Sequence, residues 1–366
     1  MKVCVTGATG FVGAHVVAQL VDRGDEVRVT VRDRRRLRAL DGLDVEVVDA
    51  DVLDRRAVRR ALSGCDVLFH TAGVVASRPR NKVWRANAVA PRIAVEEAAR
   101  ADVGRVVVTS SVASIGPAPP DRAATERNPY PPGGTGLLYT DSKHEGEMAA
   151  FGAAERLGVE TVSVCPSYVL GPAFNRGLPG ETSTRIVANY MRGRLPAVVD
   201  AFTNIVDAED VARGHLLAAD VGRPGERYIL GGENLRWSEV VERIARISGV
   251  RHPLIVLPPE VVGVADALKR VHVPLGIVEG IRLMAPDWRY SSARARRELG
   301  YHPRRANETL RRTVAWYTEL IEDDRLAAPN SRSFDVMAAG VRTADRLGLL
   351  APLRAAGQMA GRRTVL

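Results

Sequence analysis

Cysteine is scarce in this chain. Cys4, Cys65 and Cys165 are the only three among 366 residues. That is too few for a disulfide framework, and none has the close spacing of a metal-ligand set. Each lies alone in an apolar run, the setting of a buried core thiol in a reducing compartment. Aromatics are only 5 % of the residues, so the core must come from Val, Leu, Ala and Ile. No stretch approaches the roughly 20 uncharged apolar residues of a membrane span. The N-terminus enters at once on an apolar strand, without a signal-peptide layout. These features predict a cytoplasmic protein.

Acidic residues are outnumbered, giving a formal net charge of +9, but the excess is local. Residues 28–38 hold six Arg against Asp33, and 325–366 hold seven Arg against two Asp. The remainder is close to neutral. That concentration argues against a nucleic-acid-coating protein. A hydrophobic share of 46 % and a charged share of 26 % are ordinary globular values, which excludes wholesale disorder. At roughly 150 residues per domain, the length predicts about two domains.

β-branched apolar runs at 2–6, 26–31, 45–51, 66–73, 105–111 and 159–166 alternate with helical patterns at 11–23, 54–63, 82–101 and from Tyr139 onward. Continuous apolar strands separated by helices predict an α/β fold with a doubly wound parallel sheet of the Rossmann kind. The Pro- and Gly-rich stretch 115–138 reads as a long functional or mobile loop. Beyond 168 the pattern is less regular, with helical segments near 182–193, 210–220, 237–248, 259–270, 276–284, 291–299 and 307–322 and a strand at 227–232. The predicted organisation is a nucleotide-binding domain over 1–167, to which 204–230 returns. Residues 168–203 and 231–324 form a smaller, mostly helical substrate lobe. Residues 325–366 are a basic amphipathic tail. Its first reading is a helix packed on the body or on a partner subunit of a homodimer. A basic helix on an anionic membrane surface is the second reading, and a frayed end the third.

Gly7, Gly10 and Gly13 follow the first strand and open a helix, with Thr9, Phe11 and Val12 in the same turn. Such glycines permit a tight turn, a close approach of backbone N–H groups to a pyrophosphate, and a helix seated near the sheet. At the end of the second strand an NAD site usually places a carboxylate on the ribose hydroxyls. Here Val31 is followed by Arg32, Asp33 comes one residue late, and more arginines follow. An Arg fork binds a 2′-phosphate that a carboxylate would repel. NADP(H) is therefore preferred, with NAD(H) left open. Arg32 is the first candidate ligand, and Arg35 and Arg36 come second. Asp51 and Val52 are placed for the adenine. His70 to Gly73 end the fourth strand on the carboxyl edge. There Thr71, Ala72 and Gly73 let the backbone meet the cofactor, and His70 reads as structural.

Tyr139 and Lys143 lie four apart at the start of a helix, hence on one face. A phenol near pKa 10 needs a neighbouring cation to exchange protons near neutrality. Lys143 supplies one and could also hold the nicotinamide ribose. Ser111, at the end of the fifth strand, is the candidate to hydrogen-bond a substrate carbonyl, with Ser110 and Thr109 as competitors. Thr109 is also counted on the cofactor side. Asn87, on the intervening helix, is placed to anchor a water or the backbone near the lysine. Val74, Tyr168, Phe174 and Phe202 are candidate substrate walls, and nothing in the pattern suggests a metal.

The motifs TGATGFVG (6–13), HTAG (70–73), TSSVASIG (109–116), YTDSK (139–143), CPSYVLGP (165–172) and NIVDAEDVARGHLLA (204–218) together resemble the extended short-chain dehydrogenase/reductase superfamily, the NAD-dependent epimerase/dehydratase-like group, over roughly residues 1–324. The resemblance implies a Ser–Tyr–Lys triad at Ser111, Tyr139 and Lys143, and puts Pro166 and Val169 beside the nicotinamide. TVRDRRRL (30–37) is similar to the dihydroflavonol-4-reductase-like branch, which reduces ketones with NADPH. Residues 193–235 are equally similar to the hopanoid-associated sugar epimerase branch. That branch often has His-Val-Asp-Asp where this chain has Asp207-Ala208-Glu209-Asp210. Three functions follow. The first is NADPH-dependent interconversion of a small or lipid-like carbonyl and its alcohol. The second is a nucleotide-sugar epimerase or dehydratase with tightly held cofactor. The third is a non-enzymatic NADP(H) sensor.

Overall fold

The computed structural model describes residues 1–76, 78–179, 183–263, 275–326, 332–359 and 364–365. The β-branched segments become strands β1 (Lys2–Thr6), β2 (Glu26–Val31), β3 (Glu46–Asp49), β4 (Val67–His70), β5 (Arg105–Thr109) and β6 (Glu160–Pro166). Three further strands follow, β7 (Tyr168–Leu170), β8 (Ala197–Val199) and β9 (Phe202–Asp207). They precede β10 (Arg227–Leu230), β11 (Glu233–Arg236) and β12 (Ile255–Leu257). The central sheet is wholly parallel, in the order β10-β6-β5-β4-β1-β2-β3. The chain steps outward from β1 to β3 and then restarts at β4 on the other side. This is the doubly wound arrangement, and ligands bind in the crevice at that switch point.

Alternation along each strand sends side chains to two helical layers. Val3, Val5 and Phe69 pack under helices α1 (Phe11–Asp22) and α7 (Ala208–Val221). Cys4, Leu68 and Val106 pack under α2 (Arg55–Leu62), α4 (Ala90–Arg100) and α5 (Leu138–Leu157). All three thiols are buried and free. Cys4 and Cys65 are not isolated from each other as their sequence positions suggest, for the Cys65 thiol and burial together push the Cys4 pKa up.

Several expected elements differ in detail. Strand β3 stops at Asp49, so Asp51 lies beyond the strand it was expected to end. The helix expected over 82–101 is interrupted. A short α3 (Arg80–Trp84) passes into a π turn, Arg85–Val89, before α4 begins. Pro91 explains the break, since it has no N–H to offer the carbonyl of Asn87 and its ring crowds that atom. Gly146 of α5 presses there instead, and a Cβ on it would lie 1.9 Å from Asn87 O.

The helix Ala293–Leu299, expected in the second lobe, sets Ala295 and Leu299 among Leu216 of α7 and Tyr228 and Leu230 of β10, in the core of the central sheet. The second lobe contains α6 (Arg185–Met191) and α8 (Trp237–Ser248), with the helices Leu275–Met284 and Ala306–Glu322. It also contains two small sheets, β11-β9-β7 and β12-β8, whose three- to six-residue strands leave little periodicity. Of the segment expected to return to the first domain, α7 and β10 do so. Its first residues, within β9, pair in the lobe. The helical pattern expected over 259–270 lies, from 264 to 270, outside the described residues. The 115–138 loop is stitched to the lobe. Ala118 and Ala124 donate to the carbonyls of Asp287 and Arg289 at 2.7 and 2.9 Å, and the buried Tyr290 hydroxyl donates to Gly116 O at 2.6 Å. In the tail, helices Arg332–Arg346 and Ala351–Met359 lead to Val365, which bridges antiparallel to Ile255 of β12. Among the described residues no helix is long and apolar enough to cross a membrane.

Candidate active site

After β1 the chain turns on Gly7, whose φ of +70° lies in the left-handed region. A Cβ there would meet the Ala72 backbone at 2.6 Å, and one on Gly13 would lie 2.3 Å from Gly7 O and 2.8 Å from Thr71 Oγ1. The β1–α1 turn and the Thr71–Gly73 backbone are thus in direct contact. Thr71 also donates its hydroxyl to Thr6 O at 2.6 Å. Gly10 caps α1 without any side-chain acceptor, and no acidic residue lies in the first turn. The N–H groups of Phe11, Val12 and Gly13 are left without helical acceptors, at the switch point, with the positive end of α1 behind them. A dinucleotide pyrophosphate fits this cradle.

Arg32 follows β2 directly. Its guanidinium is 52 % exposed, and Asp51 lies 3.8 Å away, too far for a hydrogen bond. Asp51 is instead held by Leu53 N at 2.9 Å, with Val52 between them. The neighbouring arginines are engaged elsewhere. Arg34 is bidentate to Asp49 of β3 at 2.9–3.2 Å, and Arg35 turns onto Asp33 at 2.9 Å. Asp33 also caps the 3-10 helix Arg34–Leu40, and in doing so holds Arg35 N. Arg35, expected as a second phosphate contact, therefore has its fork occupied by a carboxylate. Arg36 lies exposed in the same 3-10 turn.

The opposite end of the site is built by α5. Tyr139 is its second residue and Lys143 follows one turn later. The buried Lys143 ammonium donates to Thr109 O, at the end of β5, at 2.8 Å. Burial lowers its pKa to about 8, with Cys165 and Glu147 opposing the fall. Burial raises the Tyr139 phenol, and a hydrogen bond with Ser111 draws it back. Ser111 itself caps a short 3-10 turn, its Oγ accepting from Ala113 N at 3.2 Å. The two competing hydroxyls have other bonds. Ser110 Oγ donates to Ser114 Oγ at 2.9 Å. Thr109 Oγ1 meets His215 Nε2 at 2.7 Å, and His215 Nδ1 meets Val211 O at 2.8 Å. A carbonyl can only accept, so His215 carries its proton on Nδ1 and Thr109 donates. Burial keeps that ring neutral, with its pKa lowered to about 4.

Asn87 clamps the backbone of Val74, its Oδ1 accepting from Val74 N at 2.8 Å and its Nδ2 donating to Val74 O at 2.9 Å. The same amide reaches Ser142 Oγ at 3.2 Å. A Cβ on Gly73 would stand 3.4 Å from both Asn87 Oδ1 and Lys143 Nζ, so this clamp fixes the backbone beside the ammonium. His70 is buried, with Nδ1 2.9 Å from Thr6 Oγ1. Its Nε2 has no hydrogen-bond partner among the described residues. Burial and the Lys143 charge push its pKa down to about 3, which leaves a neutral ring.

Sequence reasoning missed Glu147. It lies one turn beyond Lys143 and is 2 % exposed. Its carboxylate accepts from Ser114 Oγ at 2.7 Å, from Ser163 Oγ and from the Cys165 thiol at 3.4 Å, with Arg227 at 3.6 Å. These partners come from three parts of the chain, and only the i, i+4 spacing to Lys143 hinted at the contact. Asp141, on the same helix, gathers the Tyr130 hydroxyl at 2.6 Å and Thr135 N at 2.8 Å. It thereby pins the long loop over the start of α5.

The expected walls are engaged in packing. Tyr168 donates to Ser183 O at 2.9 Å and sets its ring edge-on to Trp237. Phe174 packs edge-on to His15. Phe202 lies under the guanidinium groups of Arg236 and Arg289, at 4.3 and 4.7 Å. Pro166 ends β6, and Val169 sits half-buried in β7. Asp207, where the epimerase branch often has His, caps α7 through Glu209 N at 3.0 Å and pairs with Arg312 at 3.1 Å.

Comparison with known proteins gives a consistent picture. The profile of the NAD dependent epimerase/dehydratase family matches residues 3–231. Sterol demethylase protein B of Methylococcus capsulatus is 35 % identical over 330 residues, covering 87 % of this chain and 99 % of that protein. Cinnamoyl-CoA reductase 1 of Oryza sativa is 34 % identical, covering 67 % and 75 %. A solved nucleoside-diphosphate-sugar epimerase of Pseudomonas aeruginosa superposes with a TM-score of 0.74 at 25 % identity, covering 87 % and 98 % of the two chains.

Proposed function

The chain belongs to the NAD dependent epimerase/dehydratase family, and from that footing we propose that it reduces a ketone or aldehyde to an alcohol with NADPH. The observation that carries the reading is Arg32, a cation with no hydrogen-bonded carboxylate where an NAD site places an acid. The names of two relatives concern a sterol and the coenzyme A thioester of an aromatic acid, and one of them names a reduction. They support a lipid-like or aromatic carbonyl as substrate.

The cofactor would lie over the backbone of Gly7, Thr9, Gly10, Phe11, Val12 and Gly13. Arg32 and Arg36 would face its 2′-phosphate, and Asp51 and Val52 its adenine. Thr71, Ala72, Gly73 and Thr109 would line its middle, and Pro166 and Val169 its nicotinamide. When bound, it supplies a hydride to the carbonyl carbon. Ser111 donates a hydrogen bond to the carbonyl oxygen and holds it beside Tyr139, with Val74 and Tyr168 toward the substrate. Tyr139 gives that oxygen its phenolic proton as negative charge develops. Lys143, fixed on Thr109 O, stabilises the phenolate left behind. Asn87 keeps the neighbouring backbone in place. Nucleotide binding is assigned to 1–167 with α7 and β10, and substrate selection to the second lobe.

The test is purified protein with NADPH and a panel containing a sterol 3-ketone, a dihydroflavonol and cinnamaldehyde. Consumption of NADPH with at least one is expected, and silence across all three rejects the assignment. The structural likeness to a sugar epimerase favours a second reading, interconversion of a nucleotide sugar on a retained cofactor. Native mass spectrometry showing bound NAD, with epimerisation of a UDP-sugar and no net redox change, would select it.

A further inference from the structure

The tail carries a feature that is independent of this chemistry. Gly348, at φ +73°, ends the helix Arg332–Arg346 in a left-handed turn. Gly348 N bonds to Asp345 O at 2.9 Å and Leu349 N to Ala344 O at 2.9 Å. The next helix starts at Ala351. Ala338, Leu350 and Gly357 face inward and are buried. Leu347 is 68 %, Leu349 64 % and Leu353 47 % exposed, and Met359, at the end of that helix, 84 %. The result is an ordered turn that presents large apolar side chains to water. Such a patch marks a contact with another surface.

Charge selects the partner. Residues 325–366 carry seven Arg and two Asp, and Arg346 stands exposed at the tip itself. Beside the tip, between the tail and α8, lies a cavity of about 670 Å³. Its lining includes Arg246, Arg251, His252 and Arg354, and the carboxylates Glu242 and Asp345. Arg354 is paired with Asp345 at 2.7 Å, whereas Arg246 and Arg251 have no ion-pair partner among the described residues. A two-fold contact between copies would set one basic surface against another. An anionic bilayer offers apolar depth for the leucines and phosphates for the arginines. We propose that the Leu347–Leu353 turn docks on an anionic phospholipid bilayer, with the arginine-lined cavity beside it facing the headgroups.

The experiment is co-sedimentation of the full chain with vesicles of phosphatidylcholine alone, or with phosphatidylglycerol added. Wild type should partition to the anionic vesicles only, and salt should weaken the binding. The combined Leu347→Ser, Leu349→Ser and Leu353→Ser variant should lose about tenfold or more in partitioning. NADPH affinity and far-UV circular dichroism check that it is folded. Arg346→Glu, an exposed change that leaves the core alone, should weaken binding to anionic vesicles and respond less to salt. Equal binding to both vesicle types, no binding at all, or unchanged partitioning of both variants overturns the proposal. So does light scattering that shows a wild-type dimer converted to monomer by the leucine changes, because a second copy would then cover the tip.

Discussion

Replacing Arg32 by Ala separates cofactor choice from everything else in the site. The guanidinium is half exposed and stands 3.8 Å from Asp51, and exposed pairs of this kind contribute roughly 0–1 kcal/mol. Stability should therefore hardly change. Toward a 2′-phosphate the same group can make a charge-assisted contact worth roughly 1.5–3 kcal/mol. Its exposure to water favours the lower half of that range, about 2 kcal/mol, or close to a thirtyfold change in Kd. Fluorescence titration with NADPH and with NADH reads both affinities on the same protein. Arg32→Ala should weaken NADPH about thirtyfold while moving NADH by no more than about twofold. Arg32→Glu should widen the gap, because it adds repulsion to the loss. If the two cofactors weaken in parallel, or neither does, Arg32 does not read the phosphate and the case for reduction by NADPH loses its main support.

The remaining predictions concern the other end of the site and its frame. Lys143 is charged below about pH 8 and neutral above it, so the rate should fall as pH rises through that value. Glu147→Gln removes a buried negative charge one turn away and should move this alkaline limb downward by about one pH unit. A limb that stays put while only Tm drops would mean that Glu147 acts on the fold and not on the lysine. Gly13→Ala drives a Cβ against Gly7 O and should cost roughly 1–3 kcal/mol in denaturant unfolding, with weaker NADPH binding. Asn87→Ala leaves both Val74 backbone groups without their side-chain partner, a loss of about 1–3 kcal/mol. It should lower kcat more than it changes the NADPH Kd.

Much of the frame was legible because its signals are local. Strands buried on both faces show as unbroken runs such as Val106–Val108, and a glycine-led turn between strand and helix shows as Gly7, Gly10 and Gly13. Tyr139 and Lys143 share a helix face at any plausible boundary. What could not be read depends on contacts between distant segments. Glu147 looks like one more charged residue on an amphipathic helix until Ser114, Ser163, Cys165 and Arg227 close around it. The arginine run ranked Arg32 first and Arg35 and Arg36 second, and only the positions of Asp33 and Asp49 show that Arg35 and Arg34 are taken by carboxylates. Strands β7, β8 and β12 span three residues each, too few for alternation to register. The 115–138 segment was read from its glycines and prolines as functional or mobile. Asp141 and the partners in the second lobe are what give it a fixed place.

The most direct measurement is a comparison of wild type and Tyr139→Phe on whichever carbonyl of the panel wild type turns over fastest. NADPH binding is measured on the same samples. The phenyl ring keeps the packing and removes only the proton donor. NADPH affinity should stay within about twofold, while turnover falls by roughly 10²–10⁴-fold. A phenylalanine variant that reduces the carbonyl at the wild-type rate contradicts the assignment of Tyr139 as the acid.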